Sequence, residues 1–96
     1  MSAYIIVDTK ITNEAEYEEY KRLAKPIVEK HGGLYRVRGG TLDIIEADLW
    51  TPTRIVVVEF PDMNSARAFI DSEEYAPVKK MRHQNAECTL FIVDGS

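Results

Sequence analysis

The segment Arg54-Ile55-Val56-Val57-Val58-Glu59-Phe60-Pro61 is a nearly unbroken apolar run, rich in β-branched residues and stopped by a proline. Such a run predicts a central β-strand. Because side chains alternate along a strand, Val56 and Val58 point to one face and Val57 to the other. Both faces of this strand are apolar, so we expect both faces of the sheet to be covered.

Length and composition are typical of one small folded domain. The chain has 96 residues, of which 45% are hydrophobic and 29% are charged. A chain of this length buries only about 60 to 65% of its unfolded surface, so a second chain would enlarge a modest core. We predict a single domain over residues 1–96.

The charge balance disfavours nucleic acid, since the net charge is −4 and binding to a phosphate backbone needs a basic excess. No apolar run reaches the roughly 20 residues of a membrane span, and residues 1–4 lack the basic start of a signal peptide. Cys88 is the only cysteine, which excludes an intrachain disulfide and fits a reducing compartment. We expect a cytoplasmic protein without nucleic-acid or membrane partners.

The first third of the chain predicts a strand followed by a long helix. Residues 3–11 alternate with one drier face, and Asn13 with Glu16 forms the capping-box pattern that starts a helix. The pair Gly32-Gly33 supplies a left-handed residue that ends it. Pro26 predicts a kink within the helix, because the apolar stripe resumes in phase after it.

The middle of the chain predicts a hairpin ahead of the central strand. Residues 34–38 alternate, which places Arg36 and Arg38 on one face. Gly39-Gly40 predicts a turn, and residues 41–46 are a further candidate strand before a polar loop.

Two short helices and a last strand complete the prediction. Asp62 is the expected N-cap of one helix and Ser72 that of another running through Tyr75, while residues 87–93 form an apolar strand. The order β-α-β-β-α-β with an antiparallel sheet predicts an α+β, ferredoxin-like fold. Its helices cover one sheet face only, so we predict a homodimer that covers the other.

Short motifs follow one another along almost the whole chain. They are His31-Gly32-Gly33, Arg38-Gly39-Gly40, Glu59-Phe60-Pro61, and Asp71-Ser72-Glu73-Glu74-Tyr75 followed by Arg82. Together they resemble the DUF1330 family. The resemblance implies a dimeric α/β barrel, in a superfamily of cofactor-independent monooxygenases, haem-degrading enzymes, muconolactone-type isomerases and proteins without known activity. Phe69-Ile70 and Ala47 depart from the family pattern. The resemblance therefore does not identify a substrate for this chain.

His31 and Glu59 are the candidate catalytic residues, and we expect any active pocket to lie between the sheet and the long helix. His31 ends the buried stripe of that helix, where an imidazole acts as a base or caps backbone carbonyls. Glu59 interrupts the central strand, where desolvation would raise its pKa and let it take a proton from a carbon acid. Alternatively, Glu59 pairs with an arginine of a neighbouring strand.

Arginines and aromatic residues are the candidates for ligand binding. Arg36, Arg38 and Arg54 suit a carboxylate or enolate, unless they are solvated or paired. Tyr4 and Trp50 are the aromatic candidates. Other aromatic residues that line either a pocket or the core are Tyr17, Tyr20, Tyr35 and Phe69.

Two functional hypotheses agree with these residues. The first is a small enzyme, monooxygenase- or isomerase-like, that acts on an aromatic or dicarbonyl compound. The second is a non-catalytic dimeric module that binds a small molecule. The only histidines, His31 and His83, have no recognised metal spacing, so we predict neither a metal nor a cofactor, and nothing in the sequence requires haem.

Overall fold

The computed structural model describes residues 1–96 and contains one four-stranded antiparallel sheet with helices on one side. The strands are β1 (Ala3–Ile11), β2 (Leu34–Arg38), β3 (Ile55–Phe60) and β4 (Ala86–Asp94). The helices are α1 (Glu14–Lys30), α2 (Met63–Asp71) and α3 (Ala76–Asn85). The strand order β2-β3-β1-β4 puts the predicted central strand in the middle, and the α+β, ferredoxin-like prediction is confirmed.

The helices cover the sheet face that carries every second residue of β1 and β3. Ile5 lies opposite Val58 and Val7 opposite Val56, and all four side chains are buried. The buried cluster consists of Ile5, Val7, Ala24, Val28, Val56, Val58, Phe60, Ala66, Phe69, Tyr75 and Val78. The sequence pattern left open which face turns inward, and contact with the helices decides it.

No helix covers the opposite sheet face, and we call it the open face. One row across it aligns Val37, Val57, Ile6 and Phe91 from the four strands. Leu34 and Val93 lie in the neighbouring row. The open face is defined by these residues: Leu34, Val37, Val57, Ile6, Phe91 and Val93. An apolar surface of this kind is typical of an interface.

Helix α1 begins and ends as the sequence predicts. The side chain of Asn13 accepts a hydrogen bond from the Glu16 backbone N–H at 3.1 Å. The helix continues through Pro26, and the His31 N–H donates to the Ile27 carbonyl at 3.3 Å, so the prediction that the helix does not end at the proline is confirmed. Gly32 has a φ of 85°, the left-handed conformation that favours glycine after a helix. None of the three helices is long and apolar enough to cross a membrane.

The predicted strand over residues 41–46 is wrong, because this segment has no regular structure. β1 and β2 occupy the two sides of β3, so no free edge of β3 is left for this segment to pair with. The loop that follows it, residues 47–54, is held by Asp8 on β1. The Asp8 carboxylate accepts hydrogen bonds from Trp50 Nε1 at 2.9 Å, from the Thr53 N–H at 2.8 Å and from the Arg54 N–H at 3.0 Å.

The second half contains two helices, as the sequence predicts, but the second begins later than expected. Asp62 caps α2 as expected and accepts a hydrogen bond from the Ser65 N–H at 2.7 Å. Ser72 does not start the next helix. Its hydroxyl accepts from the Tyr75 N–H at 3.2 Å within a turn, and α3 begins only at Ala76. Pro77 favours this start, since proline is well tolerated in the first helical turn.

We expect Asp8→Ala to lower the free energy of unfolding at pH 7 by about 2 to 4 kcal/mol, because three hydrogen-bond donors lose one acceptor. Urea denaturation measures this loss, with the exposed Asp48→Ala as control. A wild-type unfolding free energy in Asp8→Ala would show that this contact does not hold the segment.

The same carboxylate predicts a pH dependence. Burial alone would raise the pKa of Asp8, but the hydrogen bonds from Arg54, Thr53 and Trp50 bring it below its ordinary value of 3.8. Its stabilising effect is therefore complete above the unfolded pKa and is lost as the pH falls below about 4 through the folded pKa. The free energy of unfolding, measured by denaturation at pH 7 and at pH 3, should fall less between these two pH values for Asp8→Ala than for the wild type.

Candidate functional site

An interior pocket lies between the covered sheet face and the helices, and its enclosed volume is about 50 Å³. Its lining residues are Ile5, Val7, Tyr17, Tyr20, Lys21, Val28, Tyr35, Arg38, Arg54, Val56, Val58, Phe69, Tyr75, Arg82 and Leu90. Four of the six aromatic residues proposed for a pocket, Tyr17, Tyr20, Tyr35 and Phe69, are among them, whereas Tyr4 and Trp50 are not. The lining has four cationic side chains and no carboxylate.

Arg82 is the most buried of these cations, with only 5% of its surface exposed. It lies one helical turn after Val78 on the inner face of α3. Its Nε donates a long hydrogen bond of 3.4 Å to the Tyr75 hydroxyl, which lies 2.7 Å from the Tyr20 hydroxyl. No carboxylate forms an ion pair with Arg82. A buried cation without a counter-ion is expensive, so its presence calls for a reason.

Three tyrosines of the lining, Tyr17, Tyr20 and Tyr35, keep their hydroxyl protons. Burial, followed by the neighbouring Tyr75, raises the pKa of Tyr20 far above its ordinary value. Burial also raises the pKa of Tyr17 and of Tyr35. For Arg82, burial alone would lower the pKa, but Tyr75 and the hydrogen bonds to Cys88 and Tyr75 raise it overall. The pocket therefore presents neutral hydroxyl groups beside a permanent positive charge.

Lys21, Arg38 and Arg54 form the mouth of the pocket, because they also line an open groove of about 610 Å³ on the surface. The Arg38 guanidinium lies 4.5 Å from the centre of the Tyr35 ring, and the Arg54 guanidinium lies 5.7 Å from that of Tyr17. The Nζ of Lys21 pairs with Glu18 at 2.9 Å. Neither arginine of the mouth has a carboxylate partner.

Gly39 makes room for one of these arginines. Its φ is 74°, and a Cβ at this position would lie 2.7 Å from Arg54 Nε. Its N–H donates to the Ile55 carbonyl at 2.9 Å, which ties the end of β2 to the start of β3. Gly39 therefore lets the Arg54 guanidinium lie against the backbone at the mouth.

His31 lies at the C-terminal end of α1 and does not line the pocket. Its Nδ1 is 2.9 Å from the Ile27 carbonyl oxygen, to which a protonated Nδ1 donates. The same nitrogen is 3.9 Å from Glu74 Oε1. Its ring meets the ring of Phe69 edge-on, with 6.0 Å between centroids. These contacts are those of a helix-end side chain, and a catalytic role for His31 stays a prediction.

Glu59 lies on the other side of the sheet. Its carboxylate accepts hydrogen bonds from the Ser2 hydroxyl and from Arg36 Nε at 2.8 Å. The bond from Ser2, followed by that from Arg36, lowers the pKa of Glu59, so the expected rise was wrong. A partly exposed carboxylate with two donors keeps its charge. The structure does not bring Glu59 and His31 together, and a catalytic role for Glu59 also stays a prediction.

A β-bulge separates the two arginines of β2. The register shifts between Tyr35 and Val37, so that Arg38 lies opposite Val56 and turns to the helices. Arg36 turns to Glu59 on the open side. The prediction that Arg36 and Arg38 share a face was wrong, because the extra residue of a bulge breaks the alternation.

The ligand-binding candidates thus separate into two groups. Arg38 and Arg54 reach the interior pocket, whereas Arg36, Tyr4 and Trp50 lie on the open side of the sheet. Sequence reasoning missed Arg82 and Tyr75 as site residues. The signal for Arg82 was its spacing of four from Val78, which has meaning only once residues 76–85 are known to be helical.

The sheet, the three helices and the pocket between them define a protein of the ferredoxin-like α+β class. The chain belongs to the DUF1330 family, a domain of unknown function, whose profile matches residues 2–96. No functionally curated protein matches it in sequence. The resemblance found in the sequence is therefore confirmed.

Three solved structures show the same fold. RPA0582, a protein of unknown function from Rhodopseudomonas palustris, is 18% identical with a TM-score of 0.77, over 99% of this chain and 82% of its own. SnoaB, a cofactor-independent oxygenase from Streptomyces nogalater, is 11% identical with a TM-score of 0.71, over 99% and 93%. A candidate antibiotic biosynthesis monooxygenase from Nitrosomonas europaea is 17% identical with a TM-score of 0.59, over 99% and 98%.

We expect Tyr75→Phe to lower the free energy of unfolding by about 1 to 3 kcal/mol, because its hydroxyl is the shared partner of Tyr20 and Arg82. The matched control is Tyr4→Phe on the open side, for which we expect a change within about 0.5 kcal/mol. Urea denaturation of both variants tests the difference, and equal effects would contradict the role of the Tyr75 hydroxyl.

Proposed function

We propose that this protein is a small enzyme that acts on a compact, acidic organic compound in the interior pocket, without a tightly bound cofactor. The observation that carries this proposal is the charge of the lining. Four cations and no carboxylate surround the pocket in a chain whose net charge is −4. Such a concentration of one sign against the overall charge supports the binding of an anion.

Arg82 is the group that we propose to stabilise the reacting oxygen. Inside a poorly solvated pocket, a guanidinium stabilises a nearby negative oxygen far more strongly than it does in water. The Tyr75 hydroxyl lies beside it and can donate a second hydrogen bond. Together they suit the oxygen of an enolate or a phenolate.

The proton-transfer groups of the pocket narrow the choice of substrate. The lining contains no imidazole and no carboxylate, and burial raises the pKa of Tyr17, Tyr20 and Tyr35. None of these groups is a base at neutral pH. The arrangement therefore favours compounds that lose their own proton near neutrality once a cation stabilises the anion, such as phenols and 1,3-dicarbonyl compounds.

An enolate held beside Arg82 is the common first species of two reactions, isomerisation and direct oxygenation. SnoaB, which shares the fold, is a cofactor-independent oxygenase. Its activity supports oxygenation as the first reaction to test. The absence of a base among the lining residues equally supports a second candidate function, a module that binds the anion without changing it.

Replacing Arg82 tests the proposal. We expect Arg82→Met to keep the fold, since methionine fills similar space without a buried charge. A panel of phenols and 1,3-dicarbonyl compounds is screened by thermal shift, and each stabilising compound is then followed by oxygen uptake and mass spectrometry. Turnover by Arg82→Met should be about 10- to 100-fold or more slower than turnover by the wild type, which is the loss expected for one charge-assisted hydrogen bond.

Arg36→Met is the matched control, because Arg36 lies on the other side of the sheet. It should leave ligand binding and turnover unchanged. Binding that depends on Arg82 without any product would favour the binding module. Turnover that survives in Arg82→Met would overturn the proposed role of Arg82.

We also propose a homodimer that packs the open faces of two copies together. The support is an uncovered apolar row across all four strands, together with exposed Ile45 and Leu49 in the neighbouring irregular segment. A two-fold partner presents the same surface and covers it. The solvent-facing side of β3 would then be buried, as its apolar sequence suggests.

Phe91→Asp and Met63→Asp form a matched pair for this proposal, because both side chains are 40% exposed in the single chain. Phe91 lies on the open face and Met63 on the first turn of α2. Sedimentation velocity should show a dimer for the wild type and for Met63→Asp. Phe91→Asp should be a monomer, because a buried unpaired carboxylate opposes association. A monomeric wild type at micromolar concentrations would exclude the dimer.

A further inference from the structure

We infer that the substrate is an organic acid, whose carboxylate is bound at the mouth by Arg38 and Arg54 while its apolar part lies in the pocket with an acidic oxygen facing Arg82. This inference rests on the proposed function and adds a second binding point to it. It separates the site into an inner point, which holds the reacting oxygen, and an outer point, which holds the carboxylate.

The six arginines of the chain fall into two groups of three. Arg22, Arg36 and Arg67 each form an ion pair with a carboxylate on the surface. The other three, Arg38, Arg54 and Arg82, have no carboxylate partner, and all three line the same pocket. The unpaired arginines are thus gathered at one site, where an anionic ligand supplies the missing partner.

The geometry of the mouth suits a carboxylate. Arg38 ends β2, and Arg54 lies directly before the neighbouring strand β3. Each guanidinium lies near the face of a tyrosine ring, Tyr35 or Tyr17, and the N–H groups at the edge of a stacked guanidinium remain available to a ligand. Planar guanidinium groups match the two oxygens of a carboxylate.

The lining changes character at the mouth, which sets the orientation of the ligand. Of the 15 residues around the interior pocket, 11 are hydrophobic, whereas none of the eight around the outer groove is. A ligand with one apolar end and one charged end matches this boundary. In the outer groove Glu18 pairs with Lys21, Glu29 lies 4.0 Å from Lys25, and Arg22 pairs with Glu19. Only the guanidinium groups of Arg38 and Arg54 are left without a partner there, and two such groups match the charge and shape of one carboxylate. The observations favour a monoanionic carboxylate.

Size adds a condition on binding. The interior volume of about 50 Å³ is smaller than the roughly 150 Å³ of an apolar cavity known to hold a benzene ring. An aromatic or similar ligand therefore enters only if side chains of the mouth move. Lys21, Arg38 and Arg54 are long and flexible and border the 610 Å³ groove, so there is room for them to swing outward around a carboxylate.

The test compares acids with their uncharged amides. The probes are 4-hydroxyphenylacetate and 3-oxohexanoate, each measured by titration calorimetry against its primary amide, with 4-hydroxyphenyl phosphate as the dianionic comparison. We expect each acid to bind at least about 10-fold more tightly than its amide, the difference given by a charge-assisted carboxylate contact. The phosphate ester should bind more weakly than the acids.

Variants locate the contact. Arg38→Gln and Arg54→Gln should each remove most of the preference for acid over amide, and Arg54→Lys should restore only part of it. Arg82→Met should weaken acid and amide alike, because it acts on the inner oxygen. Arg36→Gln, on the other side of the sheet, should leave the preference intact. Melting temperatures near that of the wild type confirm that each variant is folded.

The outcomes separate this inference from the proposed function. Equal affinities of acid and amide, or a preference that survives in both Arg38→Gln and Arg54→Gln, would overturn the inference even if a substrate is turned over. Selective acid binding that depends on Arg38 and Arg54 but yields no product would uphold the inference while the proposed enzyme activity fails. If neither the acids nor the amides bind, the inference is wrong.

Discussion

The structure depends on a central strand that is apolar on both faces while the helices cover only one. Val56 and Val58 of β3 are buried under the helices, and Val57 is in the uncovered row. Burial of apolar side chains is the main force that stabilises a small domain, so each face must be satisfied separately. The covered face closes over a charged pocket, and the open face stays exposed in the single chain.

The buried Arg82 has a cost in stability. A chain of 96 residues has a small core, yet part of that core is occupied by Arg82 without a carboxylate partner. Replacing a buried charge by an apolar side chain often stabilises a protein. An anion bound beside the guanidinium would complete its environment, part of which is already supplied by the Tyr75 and Tyr20 hydroxyls.

The sequence predictions are correct where a feature depends on neighbouring residues and wrong where it depends on residues far away in the chain. The capping of α1 by Asn13 and the left-handed Gly32 need only neighbouring residues, and both were predicted. The failed strand over residues 41–46 depends on which neighbours β3 already has, and the loop after it is held at Trp50 by Asp8, which is 42 residues away along the chain. Likewise, Arg82 became a site residue only when α3 packed its inner face onto the sheet.

Apart from the strand wrongly predicted over residues 41–46, the amino-acid sequence by itself determined the order of the strands and helices, the two-faced central strand and membership of a family. Alternation, capping and motif spacing can be read along the chain without knowledge of its neighbours in space. Tertiary structure alone decided which face of β3 is covered and which arginines meet. The β-bulge in β2 turned Arg36 to Glu59 and Arg38 to the pocket. Side-chain direction after a bulge depends on the register with the neighbouring strand, and that register is set by long-range pairing rather than by local pattern.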